Sequence, residues 1–326
     1  MITSPAFLSQ PTPPSGGGRP QRSDWALQPV ADGEAPPVLP PKHGGAPKRA
    51  GPGQRRRGPN PNSGAARTLE SALNGLLLLA GLVFGLAWYF QDRLPQPPDL
   101  LPTLAQAPVQ TPLEAPLFQF SYRGHDYEVK TFAEYELWGV IVSHNNISGV
   151  GDIYHNADSL DTKDICVLWG GNVAGDDYLH VKFSSGAWTC YFEYPQGVSF
   201  NAREVSNNHL ITDSPAIRKQ IDGLRRGDQV HLRGRLVGYR DRLWADFWRN
   251  SSLSRLDGGN GACEVVFVEA LEILKSANPQ WRAAYHISGW VALALLVLRA
   301  LLLLAELSRP VDERLSRPAW KNTSRP

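Results

Sequence analysis

Two long apolar runs near the ends of the chain constrain its fold more than any other sequence feature. The first run, 72–90, has 19 residues, of which only Asn74 is strongly polar. As a helix it would be about 29 Å long, which matches a membrane hydrocarbon core of about 30 Å. The second run, from about Ala283 to Ala305, is interrupted by Arg299, but eight leucines between 293 and 304 offset the cost of one arginine. The sequence therefore predicts transmembrane helices at 68–92 and 282–305.

The distribution of charge predicts how these helices are oriented. Residues 1–67 carry nine Lys and Arg against three Asp and Glu, and the tail 306–326 also has more basic than acidic residues. The segment 91–282 has 18 basic and 24 acidic residues. Because basic flanks resist translocation, both tails are expected in the cytoplasm and the middle segment on the exported side. Frequent Arg, Ala, Pro and Gly are typical of a bacterial high-GC gene, which would make the exported side the periplasm and the membrane the inner membrane.

Proline-rich segments flank the first predicted helix on both sides. Residues 1–67 contain 14 Pro and 10 Gly, so this tail cannot bury enough apolar surface to offset the entropy of ordering and is expected to be disordered. Its proline run 36–42 either binds an SH3-like groove or is a spacer, and the arginines 55–57 either bind nucleic acid or anionic lipid or only fix the topology. The proline-rich segment 93–117 is expected to be an extended linker that tethers the next domain.

The segment 118–276 has the pattern of a small, mainly β domain. Its short runs of β-branched and aromatic residues are separated by Gly, Asn, Asp and Ser turns, which is typical of a barrel or sandwich. The first six predicted strands are 118–122, 125–130, 135–143, 164–169, 178–183 and 188–194. One short α-helix is predicted after the cap Asp213–Ser214–Pro215, because Ser caps helices and Pro fits the first turn.

A resemblance to OB-fold barrels comes from two later segments. In the pattern GDxVxLxGxLV of 227–237, apolar residues alternate with His231, Arg233 and Arg235, and glycines suit a strongly bent barrel strand. This segment resembles an OB-fold strand, and 263–274 resembles a closing strand. More broadly, YELWGVIVSHN, DICVLWGGNV, WTCYFEY, SNNHLITD and GNGACEVVFVEALEILKSANPQWR resemble a group of uncharacterised bacterial membrane-associated proteins. That resemblance covers most of 118–282 and implies no activity.

Three cysteines, Cys166, Cys190 and Cys263, lie in predicted strands of the exported segment. An oxidising compartment would allow one disulfide with an unknown pairing, and one thiol would be left over. The alternative is that all three are buried free thiols, which behave as small apolar residues. A CxxC motif is missing from the sequence, which argues against a redox or zinc-ribbon site.

Candidate catalytic and metal-binding residues are scattered rather than arranged in a known motif. The loop 144–164 contains His144, His155 and several Asp, which could bind a metal but lack the spacing of HExxH or an EF-hand. A solvated loop is the preferred interpretation, and no metal and no cofactor are expected. The sequence also lacks GxSxG, SxxK, P-loop and GxGxxG motifs. A periplasmic hydrolase using His144, His155 or the cysteines is the alternative function.

The most suggestive surface is a cluster of arginine and aromatic residues, since OB-like barrels bind polyanions and sugars by stacking and phosphate contacts. The predicted ligand-binding residues are Arg233, Arg235, Arg240, Arg242, Trp244 and Trp248. Nucleic acid is scarce in the periplasm, so an anionic envelope ligand or a protein partner is expected. The competing interpretation is a solvated face in which these arginines pair with Asp222, Asp228, Asp241 and Asp246.

Small residues in the first helix offer a further contact surface. Gly81 and Gly85 form a GxxxG motif, which lets helix backbones approach closely in lipid, either for self-association or for pairing with the second helix. Taken together, the sequence predicts a two-span inner-membrane protein that presents an OB-like periplasmic domain as a binding or scaffolding module.

Overall fold

A computed structural model of the chain describes residues 61–147, 159–186, 188–244, 247–257 and 262–308. The predictions made for 1–60 and 309–326 lie outside the described residues. The same holds for His155, Asp246 and the side chain of Trp244.

Two long helices flank the middle of the chain, as the sequence predicts. Helix α1 spans Pro61–Phe90 and helix α3 spans Pro279–Leu307. The stretches Arg67–Phe90 and Pro279–Leu307 are both long and apolar enough to cross a membrane. A short third helix, α2, spans Pro215–Gly223, and the hydroxyl of Ser214 caps it by accepting from the Ile217 amide, as expected for an N-terminal Ser.

Helices α1 and α3 pack against each other through aromatic side chains. The rings of Phe84 and Tyr285 are stacked with centroids 4.6 Å apart, and those of Phe90 and Trp281 with centroids 4.9 Å apart. Gly289 makes room for this contact, because a Cβ atom there would lie 3.3 Å from the Phe84 ring. The packing therefore depends on an aromatic ring facing a glycine of the other helix.

The GxxxG motif is not part of this helix pair. A Cβ atom on Gly81 or Gly85 would have no atom of the described residues within 4 Å. Among the described side chains of α1, the buried ones are Leu73, Ala80 and Ala87, which recur every seven positions on a different face. The prediction that Gly81 and Gly85 pair with the second helix is therefore wrong in this structure, and self-association remains a proposal.

The described residues between the long helices form ten β-strands. They are β1 Val109–Pro112, β2 Phe118–Tyr122, β3 His125–Asn146, β4 Lys163–Leu168, β5 Lys182–Ser185, β6 Cys190–Glu193, β7 Val205–Ile211, β8 Gln229–Asp241, β9 Arg249–Asn250 and β10 Glu264–Lys275. Two predicted strands, 125–130 and 135–143, are one continuous strand β3. The predicted strand 178–183 is wrong in its first half, where Asp177–His180 forms a 3₁₀ turn.

Five of these strands close into a ring. Strand β3 pairs with β4, β4 with β7, β7 with β10, β10 with β8, and β8 again with β3. Only the β7–β10 pairing in this ring is parallel. The interior is apolar and includes Val230, Leu232 and Leu236, which the alternation of β8 places on one face. Gly234 is required where β8 meets β10, because a Cβ atom there would clash with the Phe267 carbonyl oxygen.

Smaller elements cover the outside of the ring. The β5–β6 hairpin packs on the outer face of β4, and a disulfide joins Cys166 of β4 to Cys190 of β6. Of the three pairings that the sequence allows, this structure forms that one and leaves Cys263 as a free thiol. Strand β2 covers another part of the ring by placing Phe118 and aromatic neighbours against Phe267.

The segment between α1 and the ring packs against the domain and is not an extended tether. Leu104 is fully buried, and the Leu101 amide donates to Gln229 Oε1 at 2.8 Å. The Tyr178 hydroxyl donates to the Pro95 carbonyl, and β1 pairs with β3. The reason is that leucines stand between the prolines, and burying them outweighs the freedom of an extended chain.

Both long helices join the domain at the same end of β8. Asn278 donates through Nδ2 to the carbonyls of Gln91 at 3.3 Å and Arg93 at 2.7 Å. The Arg282 guanidinium lies 2.8 Å from the carboxylate of Asp228, which is fully buried just before β8 begins. The opposite end of β8 is 13 residues further along, up to about 40 Å away for an extended strand.

Candidate functional site

The predicted arginine and tryptophan residues fall into two separate regions. Arg233 and Arg235 lie in the middle of β8, whereas Arg240 and Arg242 lie where β8 ends, far from the helix attachments. Trp248 directly precedes β9, which pairs with β8 at Gly238 and Tyr239. The predicted arginine and tryptophan cluster is therefore divided between two regions of the domain.

The middle of β8 borders a groove of about 520 Å³ that has no excess of positive charge. Arg235 lies 2.8 Å from Glu269, and its guanidinium stacks 4.7 Å from the Phe118 ring centroid. The β3–β8 register places Glu134 opposite Arg235 and Glu136 opposite Arg233. The charged residues that line the groove are Glu134, Glu136, Glu269, Arg233 and Arg235. Three carboxylates face two guanidinium groups, so this groove does not favour a polyanion.

The arginines at the far end of β8 are also paired. Arg240 lies 2.6 Å from Glu128 and 4.9 Å from the Trp248 ring centroid, and Arg242 lies 3.9 Å from Glu128. The competing interpretation of an ion-paired face is therefore closer to the structure, although Asp228 and Asp241 are not the partners of these two arginines. Asp228 binds Arg282, and Asp241 binds His125 at 2.5 Å. The partners come from β3 because the pairing register aligns its glutamates with the arginines of β8.

Large apolar side chains are exposed in the segment that follows β8. Leu243, Phe247 and Leu256 each expose about 70% of their surface, and Leu253 exposes 51%. Arg242 stands beside them with 55% of its side chain exposed. We call these five residues the tip surface. Exposed apolar side chains next to a cation are typical of a contact surface for another protein.

A second candidate site joins three strands on the outside of the ring. His209 of β7 and Asp164 of β4 are both buried, and Nδ1 of the imidazole lies 2.6 Å from Oδ1 of the carboxylate. The Cys263 thiol, just before β10, lies near the imidazole and is one of the groups that raise its pKa. Asn207 Nδ2 lies 3.4 Å from both His209 Nε2 and Cys263 Sγ. The order carboxylate, imidazole, thiol is that of a nucleophilic triad.

The electrostatics of this site keep the imidazole charged. Burial lowers the pKa of His209, but the hydrogen bonds with Asp164 and Cys263 outweigh burial and raise that pKa to about 9. A buried carboxylate beside a histidine favours the imidazolium form in this way. The thiol therefore lies next to a positively charged ring at neutral pH.

Trp188 and Arg249 enclose the triad from the side of the solvent. The Trp188 carbonyl accepts from Cys263 Sγ at 3.3 Å, and its ring centroid lies 6.1 Å from that of His209. The Arg249 guanidinium stacks 4.2 Å from the Trp188 ring centroid and lies 3.1 Å from Asp161. Within the described residues, Asn207 Oδ1 and Asp164 Oδ2 are buried and have no hydrogen-bond partner.

Sequence reasoning missed His209 and Asn207 although it named Cys263. The signal that could have found them was a run of polar residues, Asn207, Asn208 and His209, inside a segment with strand-like neighbours. Polar residues in the middle of a buried strand require partners, and such positions mark candidate sites. The spacing of Asp164, His209 and Cys263 along the chain does not predict this site. Asp164 lies on β4, His209 lies on β7, and Cys263 lies just before β10.

The second candidate site does not include His144, which the hydrolase alternative named. His144 lies on β3, and its pKa is lowered to about 4 by burial and then by the nearby cations Lys163 and Arg225. His155 lies outside the described residues. Among the residues that the structure describes, no three or more His, Cys, Asp or Glu side chains are arranged to hold a metal ion.

Comparison with protein-family models, with curated proteins and with solved structures finds no match. The fold itself defines a protein in which two apolar helices flank a sheet-rich domain built on a ring of strands.

Proposed function

We propose that this chain is a two-span protein of the bacterial inner membrane that displays its β domain in the periplasm as a binding module for a protein partner. The excess of basic residues in both tails supports this orientation. The Cys166–Cys190 disulfide also supports it, since disulfides persist in oxidising compartments.

The proposal includes an OB-like barrel as the architecture of the domain. Counted along the chain, the ring strands β3, β4, β7, β8 and β10 pair in the order 1-2-3-5-4-1. The third and fifth strands are parallel, and α2 lies between the third and fourth. This connectivity supports the proposal of a five-stranded Greek-key barrel of the OB type, in which the loop between the fourth and fifth strands helps to bind ligands. Here that loop contains the tip surface.

The single observation that carries the binding function is the position of the tip surface relative to the helices. α1 and α3 join the domain where β8 begins, whereas Leu243 and Phe247 follow the end of β8. In a membrane, the tip surface would therefore face away from the bilayer, where a partner can reach it. Because Arg235 and Arg240 are already paired with glutamates, whereas Arg242 is more than half exposed beside apolar side chains, a protein with an apolar, acidic face fits better than a nucleic acid or polyanionic glycan.

Site-specific photo-crosslinking tests this surface. A benzoylphenylalanine residue is placed at Phe247 or Leu256 in cells, and at Tyr191 of β6 as an equally artificial control that is 55% exposed. We expect a defined adduct from the two tip positions but not from Tyr191, and we expect Arg242→Glu to weaken it. Equal adducts at all three positions, or none at the tip, would contradict the proposal.

Topology is tested separately by reporter fusions after Asp92, within 251–259 and after Pro326. The proposal expects an exported reporter at the first two positions and a cytoplasmic one at Pro326. A cytoplasmic reporter in the loop would refute the periplasmic location and make nucleic acid the better partner for the arginines.

Self-association through α1 is a further part of the proposal. Gly81 and Gly85 are open and unused by α3, so a second copy could pack there. Gly85→Leu should reduce chemical crosslinking between copies in membranes, whereas Gly75→Leu, an equally open position on another face, should not. Equal effects of the two substitutions would remove this part of the proposal.

A further inference from the structure

We propose that Cys263 is the nucleophile of an acyl-transfer site that accepts an ester or thioester, with His209 as general base, Asp164 as the positioning carboxylate and Asn207 as an amide donor. The inference goes beyond the proposed binding function and does not depend on it. The two use different residues on different parts of the domain.

The geometry supplies each part that acyl transfer needs. Asp164 fixes the imidazole through the 2.6 Å contact to Nδ1, which leaves Nε2 next to the Asn207 amide that also contacts the thiol. The Asn207 amide nitrogen lies 3.4 Å from Nε2 and 3.4 Å from Sγ. An amide donor at that distance from a nucleophile is placed to stabilise the negative oxygen that develops on an attacked carbonyl.

The exposure of the four residues distinguishes this site from a simple polar contact in the core. The side chains of Asp164 and His209 are 0% and 3% exposed, and Asn207 is 7% exposed. Cys263 is half-buried, so the thiol is the part of the site that solvent and an electrophile can reach. A buried base behind an accessible thiol is the arrangement of reactive cysteines, whereas purely structural cysteines are buried.

Two buried polar atoms without hydrogen-bond partners also support a reactive site. Oδ1 of Asn207 and Oδ2 of Asp164 are buried and have no partner among the described residues. Leaving such atoms unpaired is unfavourable, and a catalytic role is one of the reasons for which native proteins retain them. A core contact optimised only for stability would satisfy both atoms.

The proposed acyl transfer and hydrolysis need no co-reactant other than water. In chains whose His209 is neutral, a form that becomes dominant above its pKa of about 9, the proton of the Cys263 thiol passes to Nε2 as Sγ attacks the carbonyl carbon, and the bond from that carbon to the leaving oxygen or sulfur breaks. The leaving group takes the proton from Nε2, and Cys263 holds the acyl group as a thioester. Water then attacks the thioester while His209 accepts its proton, the C–S bond breaks, and the thiol regains that proton as the carboxylic acid departs.

The first test measures thiol reactivity in the full chain, solubilised in mild detergent without reductant. Iodoacetamide then labels Cys263 alone, because the other two cysteines form the disulfide. The reference is an unactivated surface thiol, Leu243→Cys in a Cys263→Ala background. We expect Cys263 to react about tenfold faster or more than the reference thiol. Equal rates would overturn the proposal.

The second test measures acyl transfer with p-nitrophenyl acetate as the probe. We expect a burst of about one nitrophenolate per chain, followed by slower turnover, as for a covalent acyl intermediate. Cys263→Ala should abolish the burst while circular dichroism and the melting temperature stay unchanged, as a half-buried position allows. Rapid alkylation without any burst would overturn the acyl-transfer assignment and leave only a reactive thiol.

The positioning role of Asp164 needs a readout that simple destabilisation would not produce. Asp164→Asn should lower the rate of acylation at saturating probe about 100-fold while KM stays the same. The circular dichroism spectrum of the same variant should match that of the wild type, which shows that the domain is folded. A change in KM alone, or loss of the folded spectrum together with the activity, would overturn the role given to Asp164.

Discussion

Burial of the Glu264 carboxyl group should reduce the stability of the folded domain at neutral pH. Glu264 begins β10, is 6% exposed, and its Oε2 has no hydrogen-bond partner among the described residues. Burial is the main cause that raises its pKa from 4.5 to about 8. The neutral substitution Glu264→Gln keeps the shape of the side chain and removes the ionisation.

The magnitude follows from the difference between the two pKa values. Below pH 4.5 the carboxyl is protonated in both the folded and the unfolded chain, so its ionisation costs nothing. Between pH 4.5 and 8 the unfolded chain releases the proton and the folded chain keeps it, so stability falls as the pH rises. At one pKa unit per about 1.4 kcal/mol, the loss for Glu264 is about 3 kcal/mol at pH 7 but about 1 kcal/mol at pH 5.

Urea unfolding of the full chain in mild detergent, followed by tryptophan fluorescence, measures this loss. We expect Glu264→Gln to gain about 2–3 kcal/mol relative to the wild type when the pH is raised from 5 to 7. Glu272→Gln is the matched control, because Glu272 is exposed on the same strand and its removal changes the net charge equally. The reasoning is refuted if both substitutions show the same pH dependence, or if Glu264→Gln shows none.

Three further substitutions test other contacts of the fold. Leu104→Ala should destabilise the domain by about 2–5 kcal/mol in the same urea assay, whereas a free tether would show no effect. Arg282→Ala should cost about 3–5 kcal/mol, because Asp228 would stay buried without its cation, and an unchanged urea midpoint would contradict that ion pair. Gly289→Leu should lower the melting temperature in detergent more than Gly85→Leu, because of these two positions only Gly289 has an aromatic ring of the facing helix against it. Equal melting temperatures would contradict the contact between Gly289 and Phe84.

The parts of the fold that follow from local patterns could be predicted from the sequence. The two apolar helices, the Ser214 cap of α2 and the inward face of β8 all depend on residues close together in the chain. Strand β7 was missed because Asn207, Asn208 and His209 interrupt the apolar pattern that marks a strand. The packed linker was missed because its prolines are conspicuous and its leucines are few.

The candidate sites could be predicted only in part, because they depend on the pairing of distant strands. The sequence suggested Arg240 as a ligand-binding residue, but the β3–β8 register places Glu128 directly opposite it. Cys263 and His209 are more than 50 positions apart, and the parallel β7–β10 pairing brings them together. No local pattern encodes a register, so neither the ion pairs nor the triad could be derived from spacing.

The parallel β7–β10 pairing is where local preference and the final fold disagree most. On its inner side, Asn208 and Glu264 lie opposite each other in a ring that is otherwise apolar, and on its outer side His209 lies beside Cys263. Apolar residues at these positions would fit the strand pattern and would avoid the cost of burying polar groups. Natural sequences depart from locally consistent choices mainly at functional or strained sites. The concentration of buried polar groups along this one pairing, rather than the exposed arginines, is therefore the structural reason to test the domain for chemistry as well as for binding.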